Sequence, residues 1–293
     1  MPALVRPVNE KQMAIASLFL STLIWGVSFP VIKVALNEID PLLFVGVRFI
    51  VASLLVIAYL LVTRKPIGRL LKGRVLWILG ITNGVGFAME TYGMSFTTAS
   101  KASLLVNVNV VFMAIFSSLM LGERLNSRGK IGILLGLLGV FLTTTGGDLS
   151  VLSSGSAVGD AIIFAGGIVW AYSMIYNKKA ATQEGLTPME VTESMILTST
   201  AALLPFLPLS SFKFELTLLS LSAMVYVALL CTIVGFFLFY KALQKLTVVN
   251  SGMVMLFEIV IAIGVSFLFL GETLLPVGVL GGVLIAIGIL LVS

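Results

Sequence analysis

The sequence predicts an all-α integral membrane protein, with ten transmembrane helices arranged as two inverted five-helix repeats around a central cavity. Three observations carry this. The 293 residues are 59% hydrophobic and only 11% charged, whereas soluble domains carry about 25% charged residues. Apolar runs of bilayer length follow one another with short loops between them. Finally, motifs of the first half return in the second.

The apolar runs lie near 13–35, 41–63, 75–95, 99–121, 128–147, 157–178, 188–209, 218–240, 247–270 and 273–292. Each approaches the ~20 residues that a hydrocarbon core requires. They are too long and too uniformly apolar for barrel strands, and irregular backbone cannot face lipid, so they read as helices. The first run, Met13 to Leu36, exceeds a signal-peptide core and no small-residue cleavage site follows it, so it reads as an uncleaved helix. Basic loop residues fix the expected orientation. Arg6, Lys11, Arg64, Lys65, Arg69, Lys72, Arg74, Arg124, Arg128, Lys130, Lys178, Lys179, Lys241 and Lys245 fall on one side, against Lys101 and Lys213 on the other. Fourteen against two makes the first side cytoplasmic and places both termini there. The net charge of +5 is therefore a topology signal, and no nucleic-acid partner is expected. With no histidine and one cysteine, Cys231, the chain has no means for an internal disulfide, a zinc site or His-based catalysis. No metal and no cofactor are expected, and the chain does not read as an enzyme.

The halves repeat. "MLGERL" at 120–125 matches "FLGETL" at 269–274, an offset of 271 minus 122, or 149. At that offset Gly129, Gly132 and Gly139 fall on Gly278, Gly281 and Gly288, and Asn109 falls on Glu258. "WGVSFPVIK" at 25–33 and "WAYSMIYNK" at 170–178 share Trp, Ser and Lys at an offset of 145. The copies are 13–147 and 157–292. Five helices is an odd number, so the second copy enters from the opposite face, an architecture that puts substrate near mid-bilayer between the repeats.

An early "WG..F...K", a tyrosine opening the stretch before the fourth run, a polar residue within that run, "LGE" and a Gly-rich fifth run together resemble the EamA half of the drug/metabolite transporter superfamily. The resemblance covers both halves, about 13–292. It implies a multi-pass transporter of the cell inner membrane that exports small metabolites by alternating access. Amino acids are the implied class, including aromatic or other apolar ones, as in the YddG-like exporters; nucleosides, sugars or cationic drugs are the alternative cargo. The family often has Glu-Pro in the middle of helices 4 and 9. Here the pairs are Asn109-Val110 and Glu258-Ile259, so both prolines are missing.

Polar and aromatic residues inside apolar runs are the candidate substrate contacts. A carboxylate at mid-bilayer costs about 2.5–3.5 kcal/mol, so Glu258 must face protein or a wet cavity, as a cavity residue or as a structural acid satisfied by its neighbours. Glu90, Arg48 and Lys33 map to the outer halves of their helices. They read either as a gate or zwitterion site, or as a neutral cluster with Lys33 snorkelling at the rim. Asn83 and Tyr92 share the third run with Glu90. Trp25 and Trp170 lie near mid-run, where tryptophans rarely serve as interface anchors, and their faces suit an apolar or aromatic ligand. Ser28 and Ser173 can bond the preceding turn. Asn107 and Asn109 are buried amides that need partners. Pro30 removes one bond from the first helix and is a candidate hinge. The Gly-lined fifth and tenth runs read as scaffold. The cavity is thus expected between runs 1, 3 and 4 of one copy and 6, 8 and 9 of the other. Too few charges occupy the runs for an enzyme, and no ring of like residues suggests a channel. The expected partners are a small-molecule substrate and the lipid bilayer.

Overall fold

Long apolar stretches must satisfy their own backbone bonds, and the structure is built accordingly. A computed structural model describes residues 10–96, 105–153, 156–182, 185–270 and 275–292. Arg6, Lys101 and the Glu272 of "FLGETL", used above in the charge and repeat arguments, lie outside the described residues, as does the terminal Ser293. Those described are helical apart from connections and one isolated bridge, Ile39 with Phe214. The long helices are α1 Glu10–Ala35, α2 Pro41–Thr63, α3 Arg74–Met94, α4 Leu105–Leu121, α5 Ser127–Thr145, α6 Ala157–Thr182, α7 Pro188–Leu209, α8 Leu218–Leu243, α9 Val248–Leu270 and α10 Pro276–Val292. Seven segments are long and apolar enough to cross a bilayer, in α1, α2 and α5 to α9. α4 and α10 are shorter apolar helices. α3 has the length, 21 residues, but is diluted by Arg74, Asn83 and Glu90. The protein is an all-helical, multi-pass membrane protein.

Helix starts follow local chemistry. Asp40 accepts from Leu42 N and Leu43 N at the start of α2, with Pro41 at the first helical position. Asn126 caps α5, Thr187 and Glu190 form a capping box on α7, and Thr247 caps α9. Each cap supplies an acceptor to amides that the helix cannot satisfy itself.

Three helices depart from regular geometry. α8 carries a π-helical stretch over Val227–Val234. α4 is interrupted at Val108 and α9 at Leu256. At each interruption a three-residue turn forms: Val111 N donates to Val108 O at 3.0 Å, and Ile259 N to Leu256 O at 3.2 Å. These breaks directly precede or closely flank Asn109 and Glu258, so the missing prolines have not removed the irregularity. By contrast α1 runs unbroken through Pro30.

Small residues set which helices touch. α5 packs along α10, where an added Cβ on Gly139 would meet Gly281 O at 2.6 Å and one on Gly288 would meet Gly132 O at 2.6 Å. Only glycine permits that approach. α3 packs on α6 and α7, and α1 packs on α8 and α9. α4 lies against α6, and α2 against α7 and α8.

Candidate functional site

Where α1, α2, α3, α4, α6, α8 and α9 converge they leave a cavity of about 1050 Å³, counted with its open mouth. α5 and α10 contribute nothing to its lining. The expected helices line it, with one addition: α2 enters through Arg48.

Trp25 is placed by α8. Within the π-helical stretch the carbonyl of Cys231 faces α1, and Trp25 Nε1 donates to it at 2.9 Å. Gly235 makes room, since a Cβ there would lie 2.8 Å from Trp25 Nε1. Phe236 meets the Trp25 ring edge-on at 5.1 Å and Phe239 packs at 5.6 Å. Ser28 donates to Trp25 O at 2.7 Å, the back-bonding expected of a helical serine.

Trp170 is placed the same way by α3. A Cβ on Gly86 would lie 3.3 Å from its ring, and Phe87 meets it edge-on at 4.6 Å. Its Nε1, however, donates to a side chain, Glu90 Oε2, at 3.2 Å. Phe87 and Phe236 are 6.1 Å apart, so the two tryptophans and the phenylalanines form one continuous aromatic wall. Each such pair contributes about 0.5–1.5 kcal/mol beyond its buried area.

The charged groups face this wall. Arg48 is 3% exposed. Its Nε donates to Thr232 Oγ1 at 2.6 Å, and Thr232 in turn donates to Val227 O at 2.9 Å across the π turn. The guanidinium stands 4.4 Å from the centre of Phe87, a cation–π contact. Glu258 borders the cavity beside the closest approach of α1 and α9, where a Cβ on Gly26 would lie 2.9 Å from Glu258 O. Glu258 and Glu90 are within electrostatic reach of one another, and among the described residues neither is ion-paired with Arg48.

Of the expected site residues, Trp25, Ser28, Glu90, Asn107, Asn109, Trp170 and Glu258 border the cavity. Asn83 and Tyr92 do not. Asn83 is fully buried and its Nδ2 donates to Leu79 O at 3.0 Å, about two turns along α3 from Glu90. Tyr92 is two positions after Glu90, which rotates it about 200° around the helix; it is 40% exposed and meets Phe96 edge-on. Lys33 is exposed, as the rim reading expects. Sequence reasoning passed over Phe87, Phe236, Phe239 and Asn177, all of which line the cavity. A signal was present: "GF" at 86–87 and 235–236 recurs at the offset of 149, since 235 minus 86 is 149. Asn177 accepts from Tyr240 Oη at 2.6 Å.

Val248 N ties the halves at one point, donating to both carboxylate oxygens of Glu123 at 3.2 and 3.1 Å. Within the second half, Lys178 Nζ donates to Leu243 O and Leu246 O, each at 2.7 Å, which ties the end of α8 to α6.

The model of the EamA-like transporter family matches residues 12–145 and again 157–293. The chain belongs to the EamA-like transporter family. Among its relatives is an uncharacterized transporter of Archaeoglobus fulgidus, 32% identical over 235 residues, 78% of this chain and 79% of that protein. A probable amino-acid metabolite efflux pump of Salmonella typhimurium is 27% identical, covering 92% of this chain and 91% of that one. An inner membrane transporter of Escherichia coli, uncharacterized, is 28% identical over 58% of this chain and 55% of that one. One solved crystal structure shares the fold, with a TM-score of 0.77 over 96% of both chains at 17% identity.

Proposed function

We propose that this EamA-family protein carries a small metabolite out across the cell inner membrane by alternating access, with amino acids as the cargo. The observation that carries this is the cavity itself. It combines an aromatic wall with one buried cation, Arg48, and two carboxylates, Glu90 and Glu258. Apolar area with a few convergent polar groups is what small-molecule sites require. The relative named as an amino-acid metabolite efflux pump supports the class of cargo. A sugar phosphate would call for several cationic side chains, and Arg48 is the only Lys or Arg in the lining among the described residues.

The proposed scaffold is two inverted five-helix copies. The matching of the family to each half supports it. So does reciprocal packing: α3 on α6 mirrors α8 on α1, and α4 on α6 mirrors α9 on α1. Gly86 and Phe87 serve Trp170 as Gly235 and Phe236 serve Trp25. The breaks at Val108 and Leu256 give each copy a discontinuous helix beside the cavity, the usual device of such carriers. Both termini are proposed to be cytoplasmic, from the basic asymmetry of the loops.

Counterflow of radiolabelled amino acids in proteoliposomes tests the function. Saturable counterflow is expected; flux linear in concentration would favour a channel, and chemical conversion of the cargo would favour an enzyme. For the topology, Lys213→Cys in a Cys231→Ser background should react with impermeant reagent from the outer face of cells. Labelling only from the inner face would overturn the orientation and the inverted repeat together.

A further inference from the structure

Among the described residues Arg48 is the one cavity-lining cation, and its surroundings leave it chemically unfinished. Its Nε is taken by Thr232 at 2.6 Å, which fixes the plane of the guanidinium. Phe87, 4.4 Å away, covers one face. The remaining donors, on Nη1 and Nη2, have no hydrogen-bond partner among the described residues, and the side chain borders the cavity while being 97% buried, its exposure being 3%. A buried guanidinium without a carboxylate is costly to maintain. Its free edge presents two parallel N–H groups, the arrangement that matches a carboxylate. The neighbouring acids do not close that edge: Glu90 accepts from Trp170 Nε1 through Oε2 and lies within electrostatic reach of Arg48, but among the described residues no ion pair or hydrogen bond joins Arg48 to Glu90 or Glu258.

We infer that Arg48 is the receptor for the α-carboxylate of the cargo, so that the cavity selects molecules with a free carboxylate next to an ammonium and rejects the corresponding amides and amines. The inference rests on the reading of this cavity as the substrate site. It refines the chemistry of that site. The ammonium is directed to the Glu90 and Glu258 side of the cavity, and the apolar side chain lies on the wall of Trp25, Phe87, Trp170 and Phe236. Asn109, the pseudo-equivalent of Glu258, then has no need to receive the carboxylate. Thr232 acts as a positioning residue: its hydroxyl is held by Val227 O across the π turn, so the departure of α8 from α-helical geometry is what aims Arg48.

The test uses the full-length protein in proteoliposomes and four probes that share one side chain: L-phenylalanine, L-phenylalaninamide, phenethylamine and 3-phenylpropionate. Wild type should take up phenylalanine in counterflow at least about tenfold better than the amide or the amine, the scale of a lost charge-assisted bond. Arg48→Gln should lower the apparent affinity for phenylalanine by about tenfold to a hundredfold and so narrow or abolish the preference for the acid over the amide and the amine. Thr232→Val should narrow the same preference by less. Equal transport of acid and amide by wild type would overturn the inference, and this outcome needs no variant to fold. An Arg48→Gln variant that is monodisperse in detergent and loses all probes equally would also overturn it, while leaving the cavity as the site. If wild type moves none of the four, the amino-acid reading of the cavity fails, and the inference fails with it.

Discussion

Replacing Gly139 by alanine tests whether the contact of α5 with α10 is as close as the structure makes it. A Cβ on Gly139 would lie 2.6 Å from Gly281 O, 2.7 Å from Ile285 Cγ1 and 2.8 Å from Ile285 N. Two of these are backbone atoms of α10 and cannot rotate aside. Ordinary contacts begin at 3.4 Å, so the helices must part locally by about 0.8 Å, the difference between 3.4 and 2.6. Gly132 and Gly288 would feel that separation, because a Cβ on Gly132 already meets Gly288 O at 2.8 Å. Overpacking of this kind costs about 1–3 kcal/mol. At roughly 2–4 °C per kcal/mol for a chain of this size, the midpoint of thermal unfolding in detergent should fall by about 2–12 °C. Gly278→Ala and Gly282→Ala are the controls, with nearest atoms at 3.7 and 3.6 Å. They should leave the midpoint unchanged or raise it, since alanine favours helix over glycine. Counterflow per folded molecule should be unaltered in all three, because α5 and α10 do not line the cavity. If Gly139→Ala and Gly278→Ala unfold at the same temperature, the argument from close backbone approach is wrong.

The other predictions concern the cavity and the tied end. Glu258→Gln keeps the shape of the side chain and removes its charge, so amino-acid counterflow should drop at least about tenfold, as expected when a charge-assisted bond is lost; normal transport from pH 5 to 8 would make Glu258 structural. Gly86→Leu should displace Trp170 from Glu90, because a Cβ there already lies 3.3 Å from the ring; a lowered transport rate with altered tryptophan fluorescence is expected, and an unchanged emission spectrum would contradict the contact. Lys178→Met leaves Leu243 O and Leu246 O without their shared donor and should destabilise the fold by about 1–3 kcal/mol. Lys33→Met, at the repeat-related but exposed position, should be neutral in the same unfolding assay.

Composition and run length were enough to read the helices, because a bilayer forces every backbone group to bond within its own segment. The site was legible where a polar residue had nowhere else to go. Glu258, Glu90 and Asn109 stood out against apolar runs, and all three border the cavity. Tyr92 misled because two positions along a helix reverse the face, and hydropathy runs do not record faces. Arg48 was read as off-centre for a related reason: its place along α2 was visible, but not that α8 would offer Thr232 opposite it. The π-helical stretch of α8 left no mark in "VALLCTIV", since any apolar residue tolerates it. The interruptions at Val108 and Leu256 form although the prolines that the family often carries nearby are missing, so at these positions the break does not depend on that residue type.

The two tryptophans give the clearest measure of how far the proposed repeat extends. Each ring is wedged by a glycine of the opposite copy and faced by the phenylalanine next to it. Shape is therefore duplicated. The hydrogen bonds are not: Trp25 donates to a backbone carbonyl, which no substrate can neutralise or displace as a charge, whereas Trp170 donates to the carboxylate of Glu90. At the offset of 149 the counterpart of Glu90 is Phe239, since 239 minus 90 is 149, and the counterpart of Glu258 is Asn109. So the first copy holds an acid where the second holds an aromatic ring, and the second holds an acid where the first holds an amide. A symmetric scaffold lined in this way has equal ends for motion but unequal contacts for cargo. Exchanging the pair, with Asn109→Glu and Glu258→Asn together, keeps the composition of the cavity and moves one charge across the pseudo-symmetric centre. If the position of that charge matters, the double variant should fold, keep its aromatic wall and transport at least about tenfold more slowly than wild type, the scale of one misplaced charge-assisted bond. Transport at the wild-type rate would mean that the cavity reads net charge alone and that its polarity has no bearing on the cargo.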